Sequence, residues 1–153
     1  DEILIQEFGK ALEFNDNAVL SHYPMNIKNM TSSDHLDRIG HVNRYRYIEA
    51  DSIKSHGSLI KLPEMPTTSL GISAAMLFMR AEDRKRFPYD AQLDFGLHAA
   101  EQVLYAVRLW THGFDIFCPT RHALATDYEG SRDRIPDAIK RISNANRLGW
   151  PEA

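Results

Sequence analysis

The chain reads as an α/β domain in which helices alternate with short buried strands. Three observations predict this. Apolar residues recur at helical spacing between Asp1 and Phe14, and the apolar triplet Ala18-Val19-Leu20 stops short of Tyr23-Pro24. A long helical period from Leu97 to His112 then passes directly into Phe114-Asp115-Ile116-Phe117-Cys118, which alternates as a strand does. With 153 residues, 43% hydrophobic and 25% charged, the chain has material for one core, so residues 1–153 are read as a single domain.

The elements follow in order. Leu4, Phe8 and Leu12, with Ile5 beside them, make one apolar helix face, and Asp1 and Glu2 suit the positive end of that helix. Ala18 to Leu20 reads as a short buried strand, ended by the bias of the residue before Pro24 against helical geometry. Met25 to Leu59 is polar and irregular and holds His35, His41 and His56. Its alternation at Arg44, Tyr45, Arg46 and Tyr47 predicts one strand in a long loop region. After Pro63-Glu64-Met65-Pro66, the stretch Ser69 to Met79 is too apolar for a surface position, and Gly71, Ser73, Ala74 and Ala75 permit close approach by a ligand or another element. Arg80 to Arg86 reads as a charged turn leading to Phe87-Pro88-Tyr89-Asp90. Leu97, Ala100, Leu104, Val107 and Leu109 define the helix that Gly113 caps. A last helix is predicted from Ser131 to Asn146, with Pro136 in its first turn.

Composition excludes several classes. Eighteen Lys and Arg against twenty-one Asp and Glu leave a net charge of -3, which offers no general attraction to nucleic-acid phosphate. Cys118 has no second cysteine to pair with, and no apolar run reaches the length of a membrane span. The sequence opens on Asp1 rather than Met, which suggests a piece of something longer, and the cytoplasm is the expected compartment.

Chemistry concentrates on the helix before Gly113. Glu101 and Arg108 are seven apart, hence on one side of the helix about two turns from each other, and can share a cleft. Solvated charges with Trp110 in the core is the competing reading. His112 falls at the helix C-terminus, where a capping role is the more common one. Cys118 reads as a buried inert thiol. The seven histidines show no zinc-ligand spacing, and D-x-D, the carboxylate pair that holds a divalent cation against a nucleotide diphosphate, is absent. Glu49-Ala50-Asp51 is too common a triple to replace it.

Taken together, Gly71-Ile72-Ser73-Ala74-Ala75, Phe87-Pro88-Tyr89-Asp90, Glu101-Gln102-Val103 and Arg108-Leu109-Trp110-Thr111-His112-Gly113-Phe114-Asp115, closing at Pro119, resemble the N-acetylglucosaminyltransferases that glycosylate hydroxyproline. Order and spacing both agree with that family's signature, strongly from Gly71 to Pro119 and weakly elsewhere. The resemblance implies part of a GT-A type fold with a mixed, mostly parallel sheet flanked by helices. It further implies a UDP-sugar donor, a protein or glycan hydroxyl acceptor, transfer with retention of configuration, and a divalent cation such as manganese.

Carried over by position, Glu101 matches the first Glu of a G-E-E motif and would hydrogen-bond the donor sugar or steady the acceptor. Gln102 stands where the second Glu belongs, keeping its length without its charge; Glu101 and Gln102 are carried over as the catalytic pair, and Ala100 replaces the Gly. Gly71, Ser73, Arg108, Trp110, Thr111 and His112 fall at donor- or acceptor-binding positions. The family's H-x-Y element, whose His reaches the metal, appears here as Thr126-Asp127-Tyr128, so Asp127 and His122 are the alternative metal ligands. The half that carries the D-x-D and grips uridine would precede Asp1. Two other functions stay open: a degenerate, non-catalytic interaction module, suggested by Gln102 and Thr126, and a carbohydrate-binding module stacking sugars on Trp110, Tyr128, Tyr45 and Tyr47.

Overall fold

A computed structural model of the chain describes residues 2–31, 33–48, 52–90 and 98–128. Helix α1 (Glu2–Leu12) begins where the periodicity places it, and Leu4, Phe8, Ala11 and Leu12 pack against one face of a sheet. Strand β1 (Ala18–Ser21) is buried along its whole length. That is the physical meaning of its unbroken apolar run, since a strand covered on both faces has no solvent side to mark with polar residues. Ala18 and Leu20 point at α1 together with Phe117, while Val19 and Ile116 point to the opposite layer.

The opposite layer is α4 (His98–Thr111), which lays Tyr105, Ala106 and Leu109 onto Val19, Ile72, Phe114 and Ile116. Gly113 ends it at φ +82°, a left-handed conformation that a side chain rarely adopts, and β7 (Asp115–Cys118) follows at once. Among the described residues the main sheet runs in the order β5 (Thr67–Thr68), β7, β1, β6 (Leu77–Phe78). Its central pair is parallel, Val19 opposite Ile116, and both outer strands are antiparallel. A second parallel pair joins β2 (Met25–Asn26) to β8 (Ala125–Thr126). The class is therefore α/β with a mixed sheet, as expected, although the parallel share is smaller than the resemblance implied.

Three expectations change. The region from Met25 to Leu59 is not a long loop with one strand. It includes a short helix α2 (Ser33–Leu36) and most of a long antiparallel hairpin, β3 (Arg38–Ile48) on β4 (Ser52–Lys61), with an irregularity between His41 and Arg44. The strand predicted from the Arg44 to Tyr47 alternation lies within β3; main-chain pairing and the packing of α4 against β4 hold the rest of this ribbon, so its polar composition did not announce β4. The charged turn after Arg80 is instead helix α3 (Ala81–Arg86), with Glu82 and Asp83 in its first turn and Arg84, Lys85 and Arg86 in its last, the polarity that the helix dipole favours. The stretch from Ser69 to Met79 is only partly internal. Gly71, Ile72, Ser73 and Met76 are buried, but Leu70, Ala74 and Ala75 are exposed because the segment crosses the sheet edge as a loop. The helix predicted from Ser131 to Asn146 lies outside the described residues.

One buried group carried no sequence signal. Glu7, on the inner side of α1, is fully buried. The Thr120 amide donates to it at 2.6 Å and the Lys10 ammonium at 2.7 Å, with Arg121 Nε at 3.1 Å. Burial pushes this carboxyl up, but hydrogen bonds from Lys10 and Thr120 outweigh that and hold it below the usual carboxylate range. The cluster ties α1 to the segment that follows β7.

Candidate active site

Residues at positions 101, 105 and 108 of an α-helix fall on one face, and α4 turns Glu101, Tyr105 and Arg108 toward the Phe87-Pro88-Tyr89-Asp90 segment. The Tyr105 hydroxyl donates to the Phe87 carbonyl at 2.7 Å and accepts from an Arg84 guanidinium nitrogen at 3.3 Å, which fixes the segment to the helix. Tyr89 stacks on Tyr105 with ring centroids 4.1 Å apart and planes 25° from parallel. Arg84 closes the stack, its guanidinium carbon 4.5 Å from the Tyr89 centroid and 5.2 Å from that of Tyr105.

Two cavities meet at Tyr89. One, about 210 Å³, is lined by Tyr89, Asp90, Leu104, Tyr105 and Arg108. The other, about 360 Å³, lies between Leu4, the Ala74 to Phe78 segment, Arg84, Tyr89 and Leu124. Burial and then the Glu101 charge push the Tyr89 phenol up to about 12, so the carboxylate acts on this ring and the phenol stays a neutral donor. An aromatic face flanked by carboxylates and guanidinium groups matches what a sugar offers: an apolar ring face with hydroxyls around its rim.

The residues expected at the site divide into three groups. Glu101, Gln102 and Arg108 are half-buried on α4, with Arg108 on the cavity wall and Glu101 acting on Tyr89. Trp110, nine positions after Glu101 and so half a turn around the helix from it, faces away; it packs on the core and meets Tyr45 edge-on at 6.3 Å. Thr111 and His112 both return to the Arg108 carbonyl, at 3.0 and 2.7 Å, and the His112 ring lies 4.7 Å from that of Phe87. They close the end of the helix and hold the segment that carries Tyr89.

Gly71 and Ser73 are enclosed by protein atoms. A side chain at Gly71 would meet Val42, Ser55 and Tyr45 within 3.3 Å, and the Ser73 amide donates to Ser21 Oγ at 2.8 Å. Their smallness serves packing between β1, the hairpin and β6. Cys118 is buried, and its thiol is pushed up to about 12 by burial and then by Glu7, which bears out an unreactive thiol. Arg84, Tyr89 and Tyr105 were not singled out as site residues. The Phe87-Pro88-Tyr89-Asp90 run was the available signal for one of them, whereas pairing of Tyr105 with α3 depends on how the helices pack.

The two expected metal ligands sit near β8. Asp127 is exposed, and both ring nitrogens of His122 are buried with no protein partner. Among the described residues no three His, Cys, Asp or Glu side chains converge, so these residues do not by themselves make a manganese site.

The arrangement is a mixed α/β layer structure with a Tyr-Tyr-Arg stack beside a helix-borne carboxylate. A family model described as Glycosyltransferase (GlcNAc) matches residues 1–147, and the chain belongs to that family. Neither the curated proteins nor the solved structures give a match. Glycosyl transfer between a donor and an acceptor is thus the reaction class. Among the described residues no helix is long and apolar enough to cross a membrane.

Proposed function

We propose that the chain contributes the sugar-facing part of a UDP-sugar-dependent transferase that moves N-acetylglucosamine to a hydroxyl with retention of configuration, the acceptor being of the hydroxyproline type. The observation that carries this reading is the cavity walled by Tyr89, Tyr105 and Arg108, with Arg84 against the two tyrosine rings and the Glu101 charge acting on the Tyr89 phenol. In this reading the Tyr89 ring, with Arg84 behind it, supports the apolar face of a sugar. Glu101 accepts hydrogen bonds from sugar hydroxyls, and Arg108 donates to an oxygen that gains negative charge as the bond to the leaving group lengthens. Gln102 is neutral, so it orients through its amide and takes no proton.

A second reading is favoured by Gln102, which lacks the charge of the Glu expected there: a relative that binds glycans without turning over a donor. The two separate cleanly. The chain, within its parent protein and supplied with manganese, is incubated with UDP-N-acetylglucosamine and a hydroxyproline peptide. Release of UDP coupled to peptide glycosylation is expected. Glycan binding with no UDP release from any UDP-sugar would overturn the transferase reading.

A further inference from the structure

Away from α4, His22 and His122 bring their rings together with centroids 6.2 Å apart and planes 70° from parallel. His22, one residue beyond β1, is fully buried. Its Nδ1 lies 3.0 Å from the Tyr23 carbonyl, which can only accept, so Nδ1 carries the proton and Nε2 presents a bare lone pair. That Nε2 is buried without a protein partner, and so are both nitrogens of His122. A neutral His122 has one bare nitrogen of its own, so two imidazole lone pairs withdrawn from water at one place call for an occupant that accepts them.

We propose that His22 and His122 together bind a divalent cation of the zinc, cobalt or nickel type. Donor chemistry selects the ion: imidazole nitrogens suit these borderline metals, whereas manganese and magnesium prefer carboxylate and water oxygens. Orientation supports it as well, because a metal-bound imidazole ordinarily anchors its other nitrogen on a backbone carbonyl or carboxylate, as His22 does on Tyr23. Two imidazoles sharing an ion, with each nitrogen about 2.1 Å from it, place their centroids roughly 5 to 7 Å apart, a range that includes the observed separation.

His122 also lines a partly open cavity of about 210 Å³ shared with Asn26 and Tyr128, which provides an entry path. Among the described residues no third His, Cys, Asp or Glu joins the pair. Its test does not involve turnover.

The full chain, stripped with a chelator, is titrated with Co²⁺ while visible absorption is recorded, and with Zn²⁺ in a calorimeter. One ion per chain is expected, with a rise in melting temperature on saturation. Imidazole nitrogen resonances provide a check that needs no variant: two histidines should shift with Zn²⁺. His122→Gln, confirmed as folded by circular dichroism, should lower affinity at least about tenfold. His56→Asn, on the hairpin, should leave affinity unchanged. Absence of stoichiometric binding overturns the proposal, as does a shift confined to other histidines, an affinity that survives His122→Gln, or an equal loss in His56→Asn.

Discussion

Tyr89 lies flat on Tyr105 at a centroid distance of 4.1 Å, and this contact joins the Phe87-Pro88-Tyr89-Asp90 segment to the helix that carries Glu101. Stacked aromatic rings prefer an offset arrangement, and such pairs add about 0.5–1.5 kcal/mol beyond the area they bury. The stack therefore has two separable roles, holding the segment in place and presenting a ring to the cavities on either side.

If the ring is the platform for a sugar, Tyr89→Phe keeps it and Tyr89→Ala removes it. Activity of Tyr89→Phe should stay within a few-fold of the parent. Tyr89→Ala should raise KM by about tenfold or more, matching the loss of roughly 1–2 kcal/mol of stacking. Steady-state kinetics on the parent enzyme decide this, and equal losses in both variants would assign the effect to the phenol instead.

Glu101 offers a different signature. Its carboxylate acts on the Tyr89 phenol from the same face of α4 that carries Arg108, so Glu101→Ala should cut kcat by about a hundredfold. The side chain is half-buried and outside both core clusters, which predicts an unchanged melting temperature. Turnover near normal would make Glu101 part of the scaffold.

Glu7 should govern acid stability. Its carboxyl titrates below the ordinary value of 4.5 in the folded chain, so the folded state favours the ionised form. Stability from this group is present above pH 4.5 and is lost as pH falls through the lower folded value. Glu7→Gln should cost about 3 kcal/mol at neutral pH, because it breaks charged hydrogen bonds to Thr120, Lys10 and Arg121 inside the fold. Melting curves of parent and variant should converge as the pH is lowered below 4.5, and a gap independent of pH would contradict the assignment.

Trp110 is half-buried between the core and Tyr45. Trp110→Ala should therefore destabilise by about 2 kcal/mol, less than the roughly 3–5 kcal/mol of a fully enclosed ring, and leave KM for the sugar unaltered. Denaturant unfolding together with kinetics separates these effects. A selective rise in KM would return Trp110 to the cleft.

How much of this was legible differs from element to element. α1, β1, α4 and β7 could be read from apolar spacing because each sits against a core that fixes which side chains must be apolar. Of the β3–β4 ribbon only the alternation from Arg44 to Tyr47, which lies in β3, was legible; β4 and the pairing were not. Its strands are held by each other's main chain and by close approach to Tyr23, whose Cβ would lie 2.6 Å from a side chain at Gly40, and neither cause leaves a periodic mark. α3 escaped notice because six mostly charged residues have no apolar stripe.

By itself, then, the order of residues determined the layers, the helix that bears Glu101 and Arg108, the left-handed stop at Gly113 and the inert character of Cys118, since spacing along one chain sets all of these. Only the tertiary structure decided which side of α4 faces the cavity beside Tyr89, that Trp110 points the other way, that Arg84 completes the tyrosine stack, and that His22 meets His122. Those facts join residues far apart in the chain. They follow from how the layers close over one another, which no local pattern encodes.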